Sequence, residues 1–252
     1  MSHKFVWYEL MTTDMQAAES FYTYVVGWNA KDAGMTNMRY TLFNVGELPV
    51  AGLMGIPAEA GEQGARPGWI GYVGVDDVDA YANRVKEAGG VVYHGPADIP
   101  EVGRFAVVAD PQGTVFALFK GLMQRPQTPP GTPGHAGWHE LHAMDGQKAF
   151  EFYSDLFGWD KRDTMDMGAL GSYQIFGDGE MMMGGVMTKM PAEPRSHWLY
   201  YFNVPAIESA VERVKERGGQ VINGPTEVPG GSWIINALDP QGAIFALVGP
   251  RR

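Results

Sequence analysis

Apolar side chains recur along the first part of the chain in two spacings, which predict strands and helices in a fixed order. A short apolar and aromatic run over residues 5–11 predicts a strand. From Asp14, apolar residues follow at three- and four-residue spacing, which predicts an amphipathic helix that Asp14 caps and Gly27 ends. Apolar runs over residues 40–45 and 50–56 then predict strands around a turn.

The same order begins again with a strand over residues 69–75. Asp77 opens a second helix, which Gly89 and Gly90 close. Further strands are predicted at residues 91–92, 105–109 and 115–119. The repeated unit is therefore a strand, a helix and three strands (βαβββ), and it occurs twice in each half of the chain. Four such modules predict a protein of the α+β class.

An internal repeat relates the two halves of the chain. Residues 8–28 and 139–159 share Glu, Leu, Asp, Gln, Ala, Phe, Tyr, Gly and Trp at matched positions. The turn Asp110-Pro111-Gln112-Gly113 returns as Asp239-Pro240-Gln241-Gly242. The segment between the repeats is rich in proline and glycine, which is typical of a linker. The predicted divisions are a first domain over residues 1–120, the linker over 121–137 and a second domain over 138–252.

These motifs resemble those of the vicinal-oxygen-chelate superfamily, which includes glyoxalases, bleomycin-resistance proteins and dioxygenases. The resemblance is carried by Asp14 followed by Phe21-Tyr22 and Gly27-Trp28, by the second helix before Gly89-Gly90, and by the Asp-Pro-Gln-Gly turn. All three recur in the second half, and the tandem arrangement is similar to that of the actinobacterial 27 kDa antigen proteins. The resemblance implies two glyoxalase-like domains, each with a curled mixed sheet that forms an open cup.

In enzymes of this superfamily the cup holds a divalent metal on His, Gln or Glu side chains. The resemblance places the corresponding positions of this chain on residues without a donor for such an ion: Trp7 and Trp138, Gly52 and Gly185, Trp69 or Ile70, Trp198 or Leu199, and Ala117 and Ala246. We therefore expect no metal, no other cofactor, and neither a glyoxalase I nor an extradiol dioxygenase mechanism. The histidines of His139-Glu140-Leu141-His142 are three residues apart on a predicted strand, so they face opposite sides and form no zinc motif.

Glu9 and Glu140 are the candidate catalytic residues. Each lies two residues after a position that the superfamily uses for a metal ligand, so strand alternation turns it into the cup beside Trp7 or Trp138. A carboxylate among aromatic rings is partly desolvated, which raises its pKa and suits a general base; the alternative is structural pairing. The candidate ligand-binding residues are Trp7, Glu9, Tyr40, Trp69, Tyr72, Trp138, Glu140, His142, Tyr173, Trp198 and Tyr201.

The amino-acid composition argues against some classes of binding partner and of chemistry. The formal net charge is −10, which argues against nucleic acid and anionic membrane surfaces. The chain has no Cys, which excludes disulfides and thiol nucleophiles, and no apolar stretch is long enough to span a bilayer. The N-terminal residues lack the pattern of a secretory signal, so we expect a cytoplasmic protein.

The leading hypothesis is a protein that binds a small apolar or aromatic molecule in one or both cups, as a monomer or a homodimer. One alternative is a metal-independent lyase, isomerase or hydroxylase with a cup glutamate as general base, so enzymatic activity is left open. Another is a structural or interaction protein whose cups are filled by their own side chains. The second copy has more polar potential, with His142, His197 and Trp233 where the first has Met11, Gly68 and Arg104.

Overall fold

The computed structural model describes residues 3–36, 38–123, 126, 128–168 and 171–252. Residues 124, 125 and 127 of the predicted linker lie outside these described residues. So do Met1 and Ser2, the first residues of the segment that lacks a secretory-signal pattern. Within the described part of the chain, no helix is both long and apolar enough to cross a membrane.

The βαβββ order occurs four times, as predicted. The first half contains β1 (Phe5–Thr12), α1 (Met15–Val25), β2 (Asn29–Asp32), β3 (Tyr40–Val45), β4 (Leu48–Gly55), a short α2 (Ala58–Glu62), β5 (Gly68–Gly74), α3 (Val78–Glu87), β6 (Val91–Ile99), β7 (Gly103–Ala109) and β8 (Val115–Gly121). The second half contains β9 (Ala136–Ala143), α4 (Gly146–Phe157), β10 (Asp160–Asp166), β11 (Ser172–Asp178), β12 (Met181–Thr188), β13 (His197–Asn203), α5 (Ile207–Glu216), β14 (Gln220–Glu227), β15 (Trp233–Leu238) and β16 (Ile244–Gly249).

The strands form two mixed eight-stranded sheets, which confirms the α+β class. Their orders are β2-β3-β4-β1-β5-β8-β7-β6 and β10-β11-β12-β9-β13-β16-β15-β14, so the two halves of the chain have the same topology. Two parallel pairings fix the register of the candidate site. Glu9 on β1 lies opposite Gly52 on β4, and Glu140 on β9 lies opposite Gly185 on β12.

Helix capping follows the sequence signals in three of the four main helices. The side chains of Asp14, Asp77 and Asp145 each accept a hydrogen bond from the backbone amide three residues on, at 3.0 to 3.1 Å. Helix α5 differs, because its N-cap residue is Ala206, whose side chain cannot accept a bond. Gly27 has a φ of 89°, in the left-handed region that suits the residue after a helix.

The chain divides into two compact units, each of which takes segments from both repeats. One unit consists of Met1–Val6, Ile70–Pro126 and Trp138–Leu199, and the other of Trp7–Trp69, Gln127–Gly137 and Tyr200–Arg252. The boundaries at residues 1–120 and 138–252 describe the sequence repeat and, as domain boundaries, stay a prediction.

Each unit has a buried polar network built on an Asp-Pro-Gln-Gly turn. In one unit Trp69 donates a hydrogen bond of 3.0 Å to the hydroxyl of Tyr22, which donates one of 3.2 Å to Asp239. In the other unit Trp198, Tyr153 and Asp110 repeat the arrangement. Burial raises the pKa of Asp110 and of Asp239, and turn amides and the tyrosine partly oppose that effect. These turns therefore stabilise the core as well as reversing the chain.

Candidate functional site

A hydrogen-bonded tryptophan, tyrosine and glutamate lie together in the first copy. Alternation along β1 places Trp7 and Glu9 on one face of the strand. The indole of Trp7 donates to the hydroxyl of Tyr40 at 3.2 Å, and that hydroxyl donates to the carboxylate of Glu9 at 2.7 Å. A Cβ atom at Gly52 would overlap the Tyr40 hydroxyl, so glycine leaves the space that the ring occupies. We call Trp7, Tyr40 and Glu9 the first-copy network.

The second copy repeats this network with its own residues. Trp138 donates to the hydroxyl of Tyr173 at 2.8 Å, and Tyr173 donates to Glu140 at 2.8 Å. The ring of Tyr173 fills the space beside Gly185. Burial, and after it the negative charge of Glu140, raises the pKa of Tyr173 far above its ordinary value. Tyr173 therefore stays protonated and serves as a hydrogen-bond donor to Glu140.

In the second copy the network continues through His142, which lies between two carboxylates. Its Nε2 is 2.7 Å from Oε1 of Glu140, and its Nδ1 is 2.9 Å from Oε2 of Glu193. Burial alone would lower the pKa of His142, but the hydrogen bonds to Glu140 and Glu193 outweigh burial and raise the pKa to about 9. We call Trp138, Tyr173, Glu140, His142 and Glu193 the second-copy network.

His197 stacks on His142 and has an unsatisfied nitrogen. The ring centroids are 4.8 Å apart, with an interplanar angle of 23°. Burial, followed by the positive charge of His142, lowers the pKa of His197, so its imidazole is neutral. Its Nδ1 lies 3.3 Å from the carbonyl oxygen of Arg195, whereas its Nε2 is buried and has no hydrogen-bond partner among the described residues.

His142, Glu193 and His197 are of the types that bind metal ions. One possible ligand atom from each lies within 4.8 Å of the others. We call these three residues the histidine–glutamate cluster. The first copy has Met11 and Gly68 at the positions of the two histidines. The cluster is therefore a feature of the second copy.

Glu193 was not predicted from the sequence, and His197 was not placed in the site. A signal for Glu193 was present, because Pro191-Ala192-Glu193 repeats Pro57-Ala58-Glu59 of the first copy. Glu59, however, is exposed on α2, whereas Glu193 is half-buried against His142. The repeated Pro-Ala-Glu motif marks both glutamates, but only the fold shows that Glu193 contacts a histidine.

The structure places the predicted site residues in several settings. Trp7, Glu9 and Tyr40 form one group, and Trp138, Glu140, His142 and Tyr173 another. Trp69 and Trp198 are buried and hydrogen-bond to Tyr22 and Tyr153 in the networks of the Asp-Pro-Gln-Gly turns. Tyr72 is buried against Phe105 and Phe119, and Tyr201 is buried on β13 opposite Ala246.

The residues that the resemblance assigns to the superfamily's metal-ligand positions offer no donor for a divalent ion. Gly52 and Gly185 have no side chain, and tyrosine rings occupy the space where one would extend. Ala117 and Ala246 are buried and offer only methyl groups. Such ions need several converging His, carboxylate or similar donors, and these positions supply none.

Fold and motifs together define a tandem protein of the vicinal-oxygen-chelate type. The profile of the Glyoxalase/Bleomycin resistance protein/Dioxygenase superfamily matches residues 4–118 and 133–247. The chain belongs to this superfamily, with one match in each half.

Several relatives match nearly the whole chain, among them one from Mycobacterium and one from Streptomyces. The protein named "Putative glyoxylase CFP32" from Mycobacterium tuberculosis is 32% identical over 247 residues, which are 97% of this chain and 94% of the relative. The "Anthracycline biosynthesis protein DnrV" of Streptomyces peucetius is 33% identical over 262 aligned positions, covering 96% of this chain and 91% of the relative.

Solved structures show the same fold at low identity. The Mn(II)-bound glyoxalase from Novosphingobium aromaticivorans aligns with a TM-score of 0.63 at 18% identity, over 100% of this chain and 82% of that one. The 2,2',3-trihydroxybiphenyl 1,2-dioxygenase from Sphingomonas wittichii strain RW1 aligns with a TM-score of 0.71 at 14% identity, over 99% of this chain and 91% of that one. Similarity at this level carries over the fold and not the activity.

Proposed function

We propose that this protein binds a small planar aromatic molecule at the second-copy network. The main support for this proposal is that Trp138, Tyr173 and Glu140 lie on one face of the sheet, where they are partly exposed and joined by hydrogen bonds. An indole ring offers a flat apolar surface for stacking, and the carboxylate beside it fixes the orientation of a polar substituent.

The hydrogen-bonding state of Glu140 indicates which substituent fits. Tyr173 and His142 each donate to one of its oxygens, and a carboxylate can only accept hydrogen bonds, so a ligand group that binds beside it has to be a donor. A hydroxyl or amino group on the ligand would supply that donor. The negative charge of the protein disfavours an anionic ligand, so a neutral phenolic compound is the favoured class.

The second copy is the favoured location because its tryptophan and glutamate are more exposed and because His142 lies beside the glutamate. In the first copy Trp7 is 9% exposed and Glu9 is 8% exposed, and Met11 takes the place of His142. The relative DnrV is named for anthracycline biosynthesis. An anthracycline is therefore a suitable first probe, together with simpler phenols and a non-aromatic compound of similar size.

Isothermal titration calorimetry tests the proposal on chelator-treated protein, so that any bound metal is removed first. We expect at least one aromatic phenol to bind, and Trp138→Leu to weaken its affinity at least about tenfold, in the range found when interface tryptophans are truncated. The matched control is Trp7→Leu, which should leave the affinity unchanged. If only Trp7→Leu lost affinity, the binding site would be in the first copy. If none of the anthracycline and phenol probes bound, the proposal would be refuted. If the protein converted a bound compound into a product, it would be an enzyme and not only a binding protein.

A further inference from the structure

The histidine–glutamate cluster has an arrangement that ligand binding at Trp138 does not explain. We infer that His142, Glu193 and His197 bind one divalent ion of the first transition series, such as Zn²⁺, at a site separate from the superfamily's usual ligand positions. The inference goes beyond the proposed function, because binding of the ion requires no organic ligand.

The donor atoms are close enough to converge on one ion. They lie within 4.8 Å of one another, and bonds of about 2.0 to 2.2 Å to a common ion would place neighbouring donors about 3 to 3.5 Å apart. Nδ1 of His142 and the nearest oxygen of Glu193 are already 2.9 Å apart. Small side-chain rotations on the elements that carry the cluster would therefore complete the site.

The unpartnered nitrogen of His197 is an independent indication of a ligand. Buried polar atoms in proteins nearly always have a hydrogen-bond partner, and Nε2 of His197 has none among the described residues. The carbonyl of Arg195 lies beside Nδ1 and favours the tautomer with its proton there. That tautomer leaves the lone pair on Nε2, the form in which a neutral imidazole binds a metal ion.

Glu140 would support the metal site through its hydrogen bond with His142. If Nδ1 of His142 binds the ion, Nε2–H of the same ring donates to Glu140, which also accepts a hydrogen bond from Tyr173. A metal-bound histidine usually donates its other ring proton to a carboxylate or carbonyl group, and this bond orients the ring. Binding of the ion through Nδ1 would release the proton of that nitrogen to solvent, and the carboxylates of Glu140 and Glu193 would then face the charge of the ion instead of that of the imidazolium.

The cluster is distinct from the superfamily's ligand set. His142 lies four residues beyond Trp138 on the same strand, and Trp138 is the residue that the resemblance places at the superfamily's first ligand position. Two imidazoles and a carboxylate, with no thiolate in the chain, favour Zn²⁺, Co²⁺, Ni²⁺ or Fe²⁺ over Ca²⁺ and Mg²⁺. Because the first copy has Met11 and Gly68 instead of histidines, we expect one ion per chain.

The test uses untagged full-length protein, freed of metal with a chelator and titrated with ZnCl₂ by calorimetry. We expect one Zn²⁺ per chain with an affinity on the order of micromolar or tighter, and a visible absorption band when CoCl₂ is added instead. His197→Ala and Glu193→Gln should each lower Zn²⁺ affinity at least about tenfold, since each removes one ligand. Both side chains are partly exposed, and circular dichroism checks that both variants fold.

His94→Ala is the control for loss of a histidine outside the cluster, because His94 is exposed on β6. It should bind Zn²⁺ as the wild type does. The inference is overturned if folded wild-type protein binds neither Zn²⁺ nor Co²⁺, or if one-to-one binding survives both cluster substitutions. Failure of the metal titration would leave the phenol titration unaffected, because that experiment is performed without metal.

Discussion

The hydroxyl of Tyr173 donates a hydrogen bond of 2.8 Å to Glu140 from a ring that lies in the space beside Gly185. Tyr40 reaches Glu9 in the same way, beside Gly52. In both copies the absence of a side chain on the neighbouring strand is what lets the tyrosine reach the carboxylate. Glycine at these two positions thus admits a hydrogen-bond donor to the carboxylate.

Gly185→Ala should displace Tyr173 and break its hydrogen bonds to Glu140 and from Trp138. A Cβ atom at this position overlaps the ring, so the ring must move, and we expect a loss of about 1 to 3 kcal/mol in the free energy of unfolding. Urea denaturation measures it. The phenol affinity of the second-copy network should fall as well.

A double-substitution cycle controls for other effects of the added methyl group. In a Tyr173→Ala background the ring is gone, and Gly185→Ala should then cost much less than it does in the wild type. An equal cost in both backgrounds would show that the methyl group meets something other than Tyr173.

Tyr22→Phe should destabilise the protein through its buried polar network. The hydroxyl of Tyr22 accepts from Trp69 and donates to Asp239, so its removal leaves a buried N–H and a buried carboxyl oxygen short of a partner. We expect a loss of about 1 to 3 kcal/mol, measured by urea denaturation. Tyr24→Phe on the same helix is the control, since Tyr24 is 39% exposed and bonds the exposed Glu216. If the two substitutions cost the same, the buried network adds nothing to stability.

His139 should make the protein less stable as the pH falls. Burial lowers its pKa to about 4, and the hydrogen bond to the Met183 carbonyl only partly offsets that effect. In the unfolded chain the pKa returns to about 6.5, so between about pH 6.5 and 4 the unfolded state binds the extra proton. The free energy of unfolding should therefore fall through this range, by up to about 3 kcal/mol from this residue alone.

His139→Asn separates this effect from other titrations. Its side-chain amide can still donate to the Met183 carbonyl but does not titrate. Urea denaturation at a series of pH values from 7 to 4 should give a shallower decline for the variant than for the wild type. Parallel curves for the two proteins would contradict the assignment to His139.

Ala206→Asp should stabilise the protein by supplying the N-cap that α5 lacks. Ala206 has the extended backbone of an N-cap residue, with φ −158° and ψ 129°, and an aspartate there could accept a hydrogen bond from the amide of Ser209. We expect a gain of about 0.5 to 1 kcal/mol in thermal or urea denaturation. Asp77→Ala, at the matching position of α3, should lose a similar amount. If Asp77→Ala destabilises the protein but Ala206→Asp does not stabilise it, the amide of Ser209 already has a hydrogen-bond partner.

The sequence predicted those elements that have one apolar and one polar face. Helix α1 and strand β1 are examples, because burial of one face imposes a period that can be read directly. Strand β2 was implied by the repeated order but was not located, because its residues, Asn29–Asp32, are largely exposed and show no alternation. Helix α2 was missed, since it has five residues and buries none of them.

The candidate site was predicted in part for a similar reason. Trp138, Glu140 and His142 alternate on one predicted strand, and the hydrogen bonds of Glu140 to His142 and of Tyr173 to Glu140 show that they do share a face. Glu193 could not be placed from sequence because it lies 51 residues from His142, in a loop without periodicity. Trp69 and Trp198 were predicted to bind ligand, but the sequence could not show that each has a buried tyrosine hydroxyl as its partner.

The composition of the compact units has a consequence for how this gene can evolve. Each unit takes segments from both sides of the linker, so a break in the linker leaves neither half with a whole unit. Fission of the gene into its two repeats would yield polypeptides that must be produced together and associate before either unit is complete. The copies can therefore diverge in their side chains, as Met11 and His142 have, while each unit still depends on segments from both of them.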